Sequence, residues 1–268
     1  MTLVIADLHG RADLLEGLLE HVAADTRLVF VGDAFDRGPR NRDCIAILNR
    51  LADEERMVLL KGNHEAMVEA VDDAFDRFRR DGSEYRRQDA SEAFLNWVAN
   101  GGDAVIREYG GFDDDFAAGG DEDAFGPWGL PPELLAFARR CTLAYRHPDA
   151  VRGDVLCAHA APGPVPGYAS LAEGMMWARP EQGPFQLPDG CRLSVHGHTP
   201  TRAPTLLGDN LFIDLGAVFT GALCTYDLDS GEAVVYQGAG RRPLADLPPI
   251  EPAGGVQPRE LPYRVVEL

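Results

Sequence analysis

Lysine is almost absent from this chain. Lys61 is the only one, so arginine carries the rest of the 25 basic side chains, set against 43 acidic ones for a formal net charge of −18. A surface of that sign repels phosphate backbones and acidic lipids, which argues against general nucleic-acid or membrane binding. A local phosphate site stays open, because bound cations and a few arginines dominate at close range. Cysteine is scarce and odd in number: Cys44, Cys141, Cys157, Cys191 and Cys224 stand far apart, with no C-x-x-C pair. That usage argues against a disulfide framework or a zinc ribbon. No apolar run approaches transmembrane length. The first residues lack a basic stretch, and Asp7 interrupts their apolar run, so no secretory signal is expected. A reducing cytoplasm fits all of this.

What is present is enough apolar material for a sizeable core. Hydrophobic residues make up 45% of 268, which suits a globular chain of one large domain or two small ones. The first third alternates strand and helix. Leu3–Ala6, Leu28–Val31 and Met57–Leu60 read as short buried strands, and apolar residues at helical spacing follow the first two. Each strand ends in a polar cluster: Asp7-Leu8-His9, then Gly32-Asp33-Ala34-Phe35-Asp36-Arg37-Gly38, then Gly62-Asn63-His64-Glu65. Such spacing suits successive βαβ units, whose sites form beyond the carboxyl ends of the strands. Residues 66–109 read as charged helix ended by Gly101-Gly102. Asp113–Asp115 and Asp121–Asp123 read as a solvated acidic loop, and Pro131-Pro132-Glu133 as a helix start. The remainder reads as β, with strands running into His159 and His196. Residues 1–240 are expected to form the catalytic domain, with 66–130 a helical insertion and acidic loop. Residues 241–268 are expected to be an irregular Pro-rich tail.

The clusters supply carboxylates, an amide and imidazoles, a donor set that hard and borderline divalent cations accept. Asp7 and His9 alternate on extended chain and point to one side. Asp33 has two carboxylate oxygens and can bridge two metals. Asn63, His159 and His198 can complete a second metal. Two carboxylates leave a pair of divalent ions with about +2 of charge, suited to a phosphate and to water activation for in-line attack. Arg37 can clamp phosphate in bidentate fashion. Asp36 and His64 can pair, with the carboxylate raising the imidazole so that His64 donates to a leaving alkoxide. Singly, each residue has an ordinary alternative as a turn, cap or surface group; the ordered set is what carries the reading.

With these motifs, the chain resembles the metallophosphoesterase (calcineurin-like) superfamily. D-x-H, G-D-x-x-D-R-G and G-N-H-E stand at Asp7–His9, Gly32–Gly38 and Gly62–Glu65, and the later family histidines match His159 and His198. Within it the chain is similar to the phosphoprotein-phosphatase branch, and to its bacterial members related to the bacteriophage lambda phosphatase. Trp177-Ala178-Arg179 and Ile213–Val218 carry that likeness. The resemblance covers roughly 1–238 and is weaker over 66–145. It implies an α/β fold, a β-sandwich flanked by helices in four α/β/β/α layers. It implies Asp7, His9 and Asp33 on one metal, and Asp33, Asn63, His159 and His198 on the other. Arg37 and Arg179 would grip phosphate, with His64 as the acid and Asp36 behind it. The metals implied are manganese, or iron or zinc. His196 precedes the matching histidine and is read as a supporting group. Ala6 and Phe35 depart from the family's usual residues without removing a ligand, and Pro200 stands where other branches place a further histidine.

The expected activity is metal-dependent hydrolysis of phosphomonoesters, foremost phosphoserine and phosphothreonine in proteins, with small phosphoesters as further substrates. The rival is a symmetrical diadenosine tetraphosphate hydrolase, a family that usually lacks the acid at Asp36. A non-catalytic phospho-binding module is the third reading, and the complete ligand set argues against it. Oligomeric state and physiological substrate are not legible.

Overall fold

In the computed structural model, residues 1–110 and 130–268 are described. The acidic stretches at 113–115 and 121–123 therefore lie outside the described residues. The chain runs β1 (Thr2–Ile5), α1 (Ala12–His21), β2 (Arg27–Phe30), α2 (Asn41–Asp53), β3 (Met57–Leu59), α3 (Asn63–Asp81), α4 (Glu84–Trp97) and α5 (Asp103–Glu108). After the undescribed segment come α6 (Pro132–Arg140), β4 (Ala144–His147), β5 (Asp154–Ala158), α7 (Leu171–Trp177), β6 (Cys191–His196), β7 (Thr205–Leu207), β8 (Asn210–Phe212) and α8 (Ala217–Thr220). Last are β9 (Ala222–Asp227), β10 (Ala233–Gln237), β11 (Arg259–Glu260) and β12 (Tyr263–Glu267).

Two six-stranded sheets form, in the orders β12-β10-β9-β1-β2-β3 and β11-β7-β8-β6-β5-β4. One apolar core joins them. Val4, Ile5 and Val29 from the first sheet and Val155, Cys157, Val195 and Leu211 from the second all belong to it, each fully buried. Strands β1, β2 and β3 are parallel, as their βαβ spacing requires, and so are β5, β6 and β8. Their near-continuous apolar sequences are what strands covered on both faces need. Helices α1 and α2 bury one apolar stripe each, through Leu14, Leu15 and Leu18 and through Cys44, Ile45, Leu48 and Leu51. The α/β architecture with two sheets and flanking helices is the one expected.

Two local readings are corrected. Gly101-Gly102 does not end the helical stretch. The chain passes through a π-turn, Val98–Gly102, and resumes as α5. Gly101 takes φ 107°, open to glycine but not to other residues, and Gly102 lies against the Trp97 indole, where a Cβ would meet Cε2 at 2.5 Å. The tail is not irregular throughout. Arg259–Glu260 pairs with β7 and Tyr263–Glu267 runs parallel to β10. Pro258 and Pro262 stand immediately before these strands, where a missing N–H costs the ladder nothing, and that masked two short strands in a proline-rich sequence.

Candidate functional site

The three polar clusters meet at the carboxyl ends of β1, β2 and β3. Backbone bonds tie the first to the second: Leu8 N–H and His9 N–H donate to the Asp33 carbonyl at 3.1 and 2.9 Å, and Gly10 N–H to that of Ala34 at 2.9 Å. Glu65 ties the third to the second. Its carboxylate accepts from Asp33 N–H and Ala34 N–H at 2.9 Å each and from Gly62 N–H at 2.8 Å. Burial, together with Asp33, pushes the Glu65 carboxyl up to about 7. Among the described residues, six non-glycine residues have left-handed backbone, and five of them are site residues: His9, Asp33, Asp36, Arg37 and His198. Such conformations cost about 1–3 kcal/mol each and persist where surrounding structure over-determines them.

Asp33, 2% exposed, stands between two groups of ligand atoms. His9, Asp33 and His64 form one; Asp33, His159 and His198 form the other; within each, all ligand atoms lie within 4.8 Å of one another. His9 Nδ1 faces the Phe35 carbonyl at 2.9 Å, leaving Nε2 directed at Asp33 Oδ2, 3.6 Å away. His159 Nδ1 faces the Val31 carbonyl at 2.9 Å, leaving Nε2 3.4 Å from Asp33 Oδ2 and 3.0 Å from Asn63 Oδ1. His198 Nδ1 also reaches Asn63 Oδ1, at 2.9 Å, and His159 Nε2, at 3.1 Å. Four acceptors, Asp33 Oδ2, Asn63 Oδ1, His159 Nε2 and His198 Nδ1, thus converge in buried space. Lone pairs so placed repel unless a proton or cation lies between them. The protein gathers positive charge there: burial opposes a proton on His159, but Asp33 and Asp7 outweigh it and push the imidazole up to about 10. Burial likewise opposes ionisation of Asp33, and His159 and His64 overcome it, holding that carboxyl well below the usual range. A divalent cation satisfies the same donors, so the residues present fit a metal.

Asp7 stands outside both groups of mutually close atoms. Its carboxylate accepts the His198 backbone N–H, at 3.2 Å to Oδ1 and 3.0 Å to Oδ2. Burial and the neighbouring Asp214 carboxyl drive it well up. Asp214 itself, pushed up to about 6 by burial, accepts Gly216 N–H at 2.7 Å.

Arg37 and Arg179 are exposed at the rim. Arg37 Nη1 reaches His9 Nε2 at 2.7 Å, and Arg179 Nη1 reaches Thr199 Oγ1 at 3.3 Å. Asp36 and His64 are both fully buried, and Oδ2 lies 2.6 Å from Nδ1. The sequence reading had Asp36 raising His64. Burial overrides it, driving the Asp36 carboxyl well up and His64 down to about 4. A neutral pair of this kind has the acid proton on Asp36 facing Nδ1 and the ring hydrogen on Nε2. His64 Nε2 is buried with no hydrogen-bond partner and lies 3.9 Å from Asp33 Oδ2, aimed into the site.

Three residues escaped the sequence reading. Trp97 Nε1–H donates to both Asp36 oxygens, at 3.0 Å each. The next turn continues the contact, with Arg37 Nε donating to the Asn100 carbonyl at 3.1 Å and Arg37 N–H to that of Gly101 at 2.9 Å. Trp97 had counted only as an apolar helix position. Glu65 and Asp214 lay inside quoted motifs without a task. Glu65 carried a findable signal, an acid at the third position of a helix after glycine. His196 sits away from both ligand groups, against Ser194 Oγ at 2.7 Å and the Ala158 carbonyl at 3.0 Å.

Two candidate ligand groups thus share one carboxylate beyond the carboxyl ends of the parallel strands β1, β2 and β3. The chain belongs to the calcineurin-like phosphoesterase family, whose model matches residues 1–202. It is 34% identical over 107 residues to serine/threonine-protein phosphatase 1 of Salmonella typhimurium strain LT2, an alignment covering 39% of this chain and 40% of that relative. This chain therefore spans well under two thirds of that relative's length. Among solved structures it superposes on a candidate diadenosine tetraphosphatase with TM-score 0.55 at 18% identity, covering 89% of this chain and 93% of that one. It superposes on a serine/threonine phosphatase from Saccharomyces cerevisiae with TM-score 0.52 at 15% identity, covering 91% and 82%. At those identities the superpositions establish the fold. Among the described residues, no helix is long and apolar enough to cross a membrane.

Proposed function

We propose that the protein is a dinuclear-metal phosphomonoesterase acting on phosphoserine and phosphothreonine, with small phosphoesters as further substrates. The observation that carries this reading is Asp33, common to both ligand groups and flanked by Arg37 and by the Asp36–His64 pair. Asp7, His9 and Asp33 would hold one ion; Asp33, Asn63, His159 and His198 would hold the other. Manganese is the favoured metal, and iron or zinc suit the same mixed oxygen and imidazole donors. When bound, two divalent ions neutralise phosphate charge and activate water. The chain's own residues supply the remainder. Arg37 and Arg179 orient the phosphoryl oxygens, because a guanidinium presents paired donors to two of them at once. His64 would give its Nε2 hydrogen to the leaving oxygen while the Asp36 acid proton passes to Nδ1, so the ring stays neutral and the negative charge ends on the Asp36 carboxylate.

The curated relative supports a protein substrate, and Asp36 favours it over a dinucleotide. Turnover of a phosphoserine peptide and of diadenosine tetraphosphate, each with added manganese, separates the two. The phosphatase reading expects the peptide to be hydrolysed; cleavage of the dinucleotide alone overturns it. We place the catalytic unit at 1–240, with an insertion at 66–130 whose described part, 66–110, is largely helical. All five cysteines are free, which supports a reducing compartment such as the cytoplasm.

A further inference from the structure

Beside Arg37 the surface is cationic, in a chain whose net charge is −18. Two adjoining hollows of about 260 and 380 Å³ share Arg37, Gly38, Pro39 and Arg241 in their walls, and the larger also takes in Arg107 and Glu108. One wall comes from the helical insertion and the other from the start of the C-terminal segment. That second wall is firmly built. Arg241 N–H and Arg242 N–H both donate to the Phe219 carbonyl, at 2.7 and 3.0 Å. The buried Arg11 bridges the carbonyls of Ala217 and Ala239 at 2.9 Å each. Gly240 presses so closely on Thr220 that no Cβ would fit between them.

Arg11, in the wall of the smaller hollow, is paired with Asp13 at 2.7 Å. Glu108 is already committed, accepting from Asn41 N–H, Asn41 Nδ2 and Arg42 N–H at 2.7, 2.8 and 3.0 Å. Arg107 pairs with Asp103 at 2.7 Å while its side chain is 66% exposed, and an exposed pair of that kind holds its arginine weakly. Arg241 is exposed and has no acidic partner among the described residues. Arg37 reaches from His9 Nε2 on one side to the groove on the other.

From this we infer that the groove between Arg37, Arg107 and Arg241 is an anion subsite, taking a second negatively charged group of the substrate tethered to the phosphoryl group undergoing hydrolysis. The inference rests on the phosphomonoesterase reading. Two sources offer that chemistry, acidic side chains flanking a phosphorylated residue and the remaining phosphates of a polyphosphate chain. Guanidinium groups bind both carboxylate and phosphate through paired donors.

The test compares wild type with Arg241→Ala and Arg107→Ala on four substrates: a phosphopeptide with flanking glutamates, the same peptide with neutral flanks, diadenosine tetraphosphate, and p-nitrophenyl phosphate. Both side chains are exposed and neither lies in the catalytic cluster, so the variants keep the fold. Expected is a KM raised about tenfold for an anion-bearing substrate, as for the loss of one charge-assisted contact. The kcat, the neutral peptide and p-nitrophenyl phosphate stay unchanged. A shift for the acidic peptide alone identifies side-chain carboxylates, and a shift for the dinucleotide alone identifies phosphates. Unchanged KM values, or equal shifts on all four substrates, overturn the subsite and leave the phosphomonoesterase reading standing. If no substrate is turned over, that reading falls. Fluorescence anisotropy with the labelled acidic phosphopeptide then decides the subsite: weaker binding by Arg241→Ala supports it and an unchanged Kd overturns it.

Discussion

Trp97→Phe is the substitution that isolates the proton donor from the metal ligands. It removes one N–H, shared between the two Asp36 oxygens at 3.0 Å each, and keeps an aromatic ring in the core. Asp36 is neutral at rest and becomes a carboxylate as the proton is delivered, and a hydrogen bond to a charged group contributes about 1.5–3 kcal/mol. If one half to all of that loss reaches the transition state, proton delivery slows by about fourfold to somewhat over a hundredfold. The loss should depend on the leaving group, because His64 acts only where the departing oxygen needs a proton. The assay is kcat/KM across aryl and alkyl phosphates with saturating divalent metal, at a temperature where circular dichroism shows the variant folded. Alkyl phosphates should lose the full factor, while p-nitrophenyl phosphate, whose leaving group is stable as an anion, should lose less than about threefold by the same reasoning. A uniform drop across the series would make Trp97 a packing residue, and no drop at all would detach it from the pair.

Glu65→Gln should cost about 1–3 kcal/mol of stability in urea unfolding, because its amide cannot accept at both ends and leaves a buried N–H unpaired; a change within error would show that the three loops hold without it. Gly197→Ala should lower metal affinity and Tm together, since a Cβ there would collide with Asp7 Oδ1; an unchanged binding isotherm would place Asp7 away from the metals. His64→Asn should slow alkyl phosphates more than p-nitrophenyl phosphate, and equal slowing would remove His64 from the acid role.

The parts of this site that sequence exposes are those encoded locally. Asp33, Asp36 and Arg37 lie on one turn, and Asn63, His64 and Glu65 open one helix, so a strand followed by a polar cluster announced each. The parallel strand order followed from the βαβ spacing. What stayed hidden depends on atoms meeting across the chain. Trp97 lies 61 residues from Asp36, and helical phase marks it as core without saying where its indole N–H points. The balance at His64 was misjudged for a related reason: the Asp36 partner is visible in a motif, but complete burial of both groups is a property of the packed fold. The contact that positions Asp7 was equally out of sight, because the His198 N–H that its carboxylate accepts comes from a turn 191 residues away.

The central claim is that Asp33 bridges two metals, and metal stoichiometry tests it most directly. Titration calorimetry of manganese into chelator-treated protein should give about two ions per chain, with Asp33→Asn losing high-affinity binding of both, as a shared ligand requires. One ion per wild-type chain, or two retained with undiminished affinity by Asp33→Asn, would contradict the account.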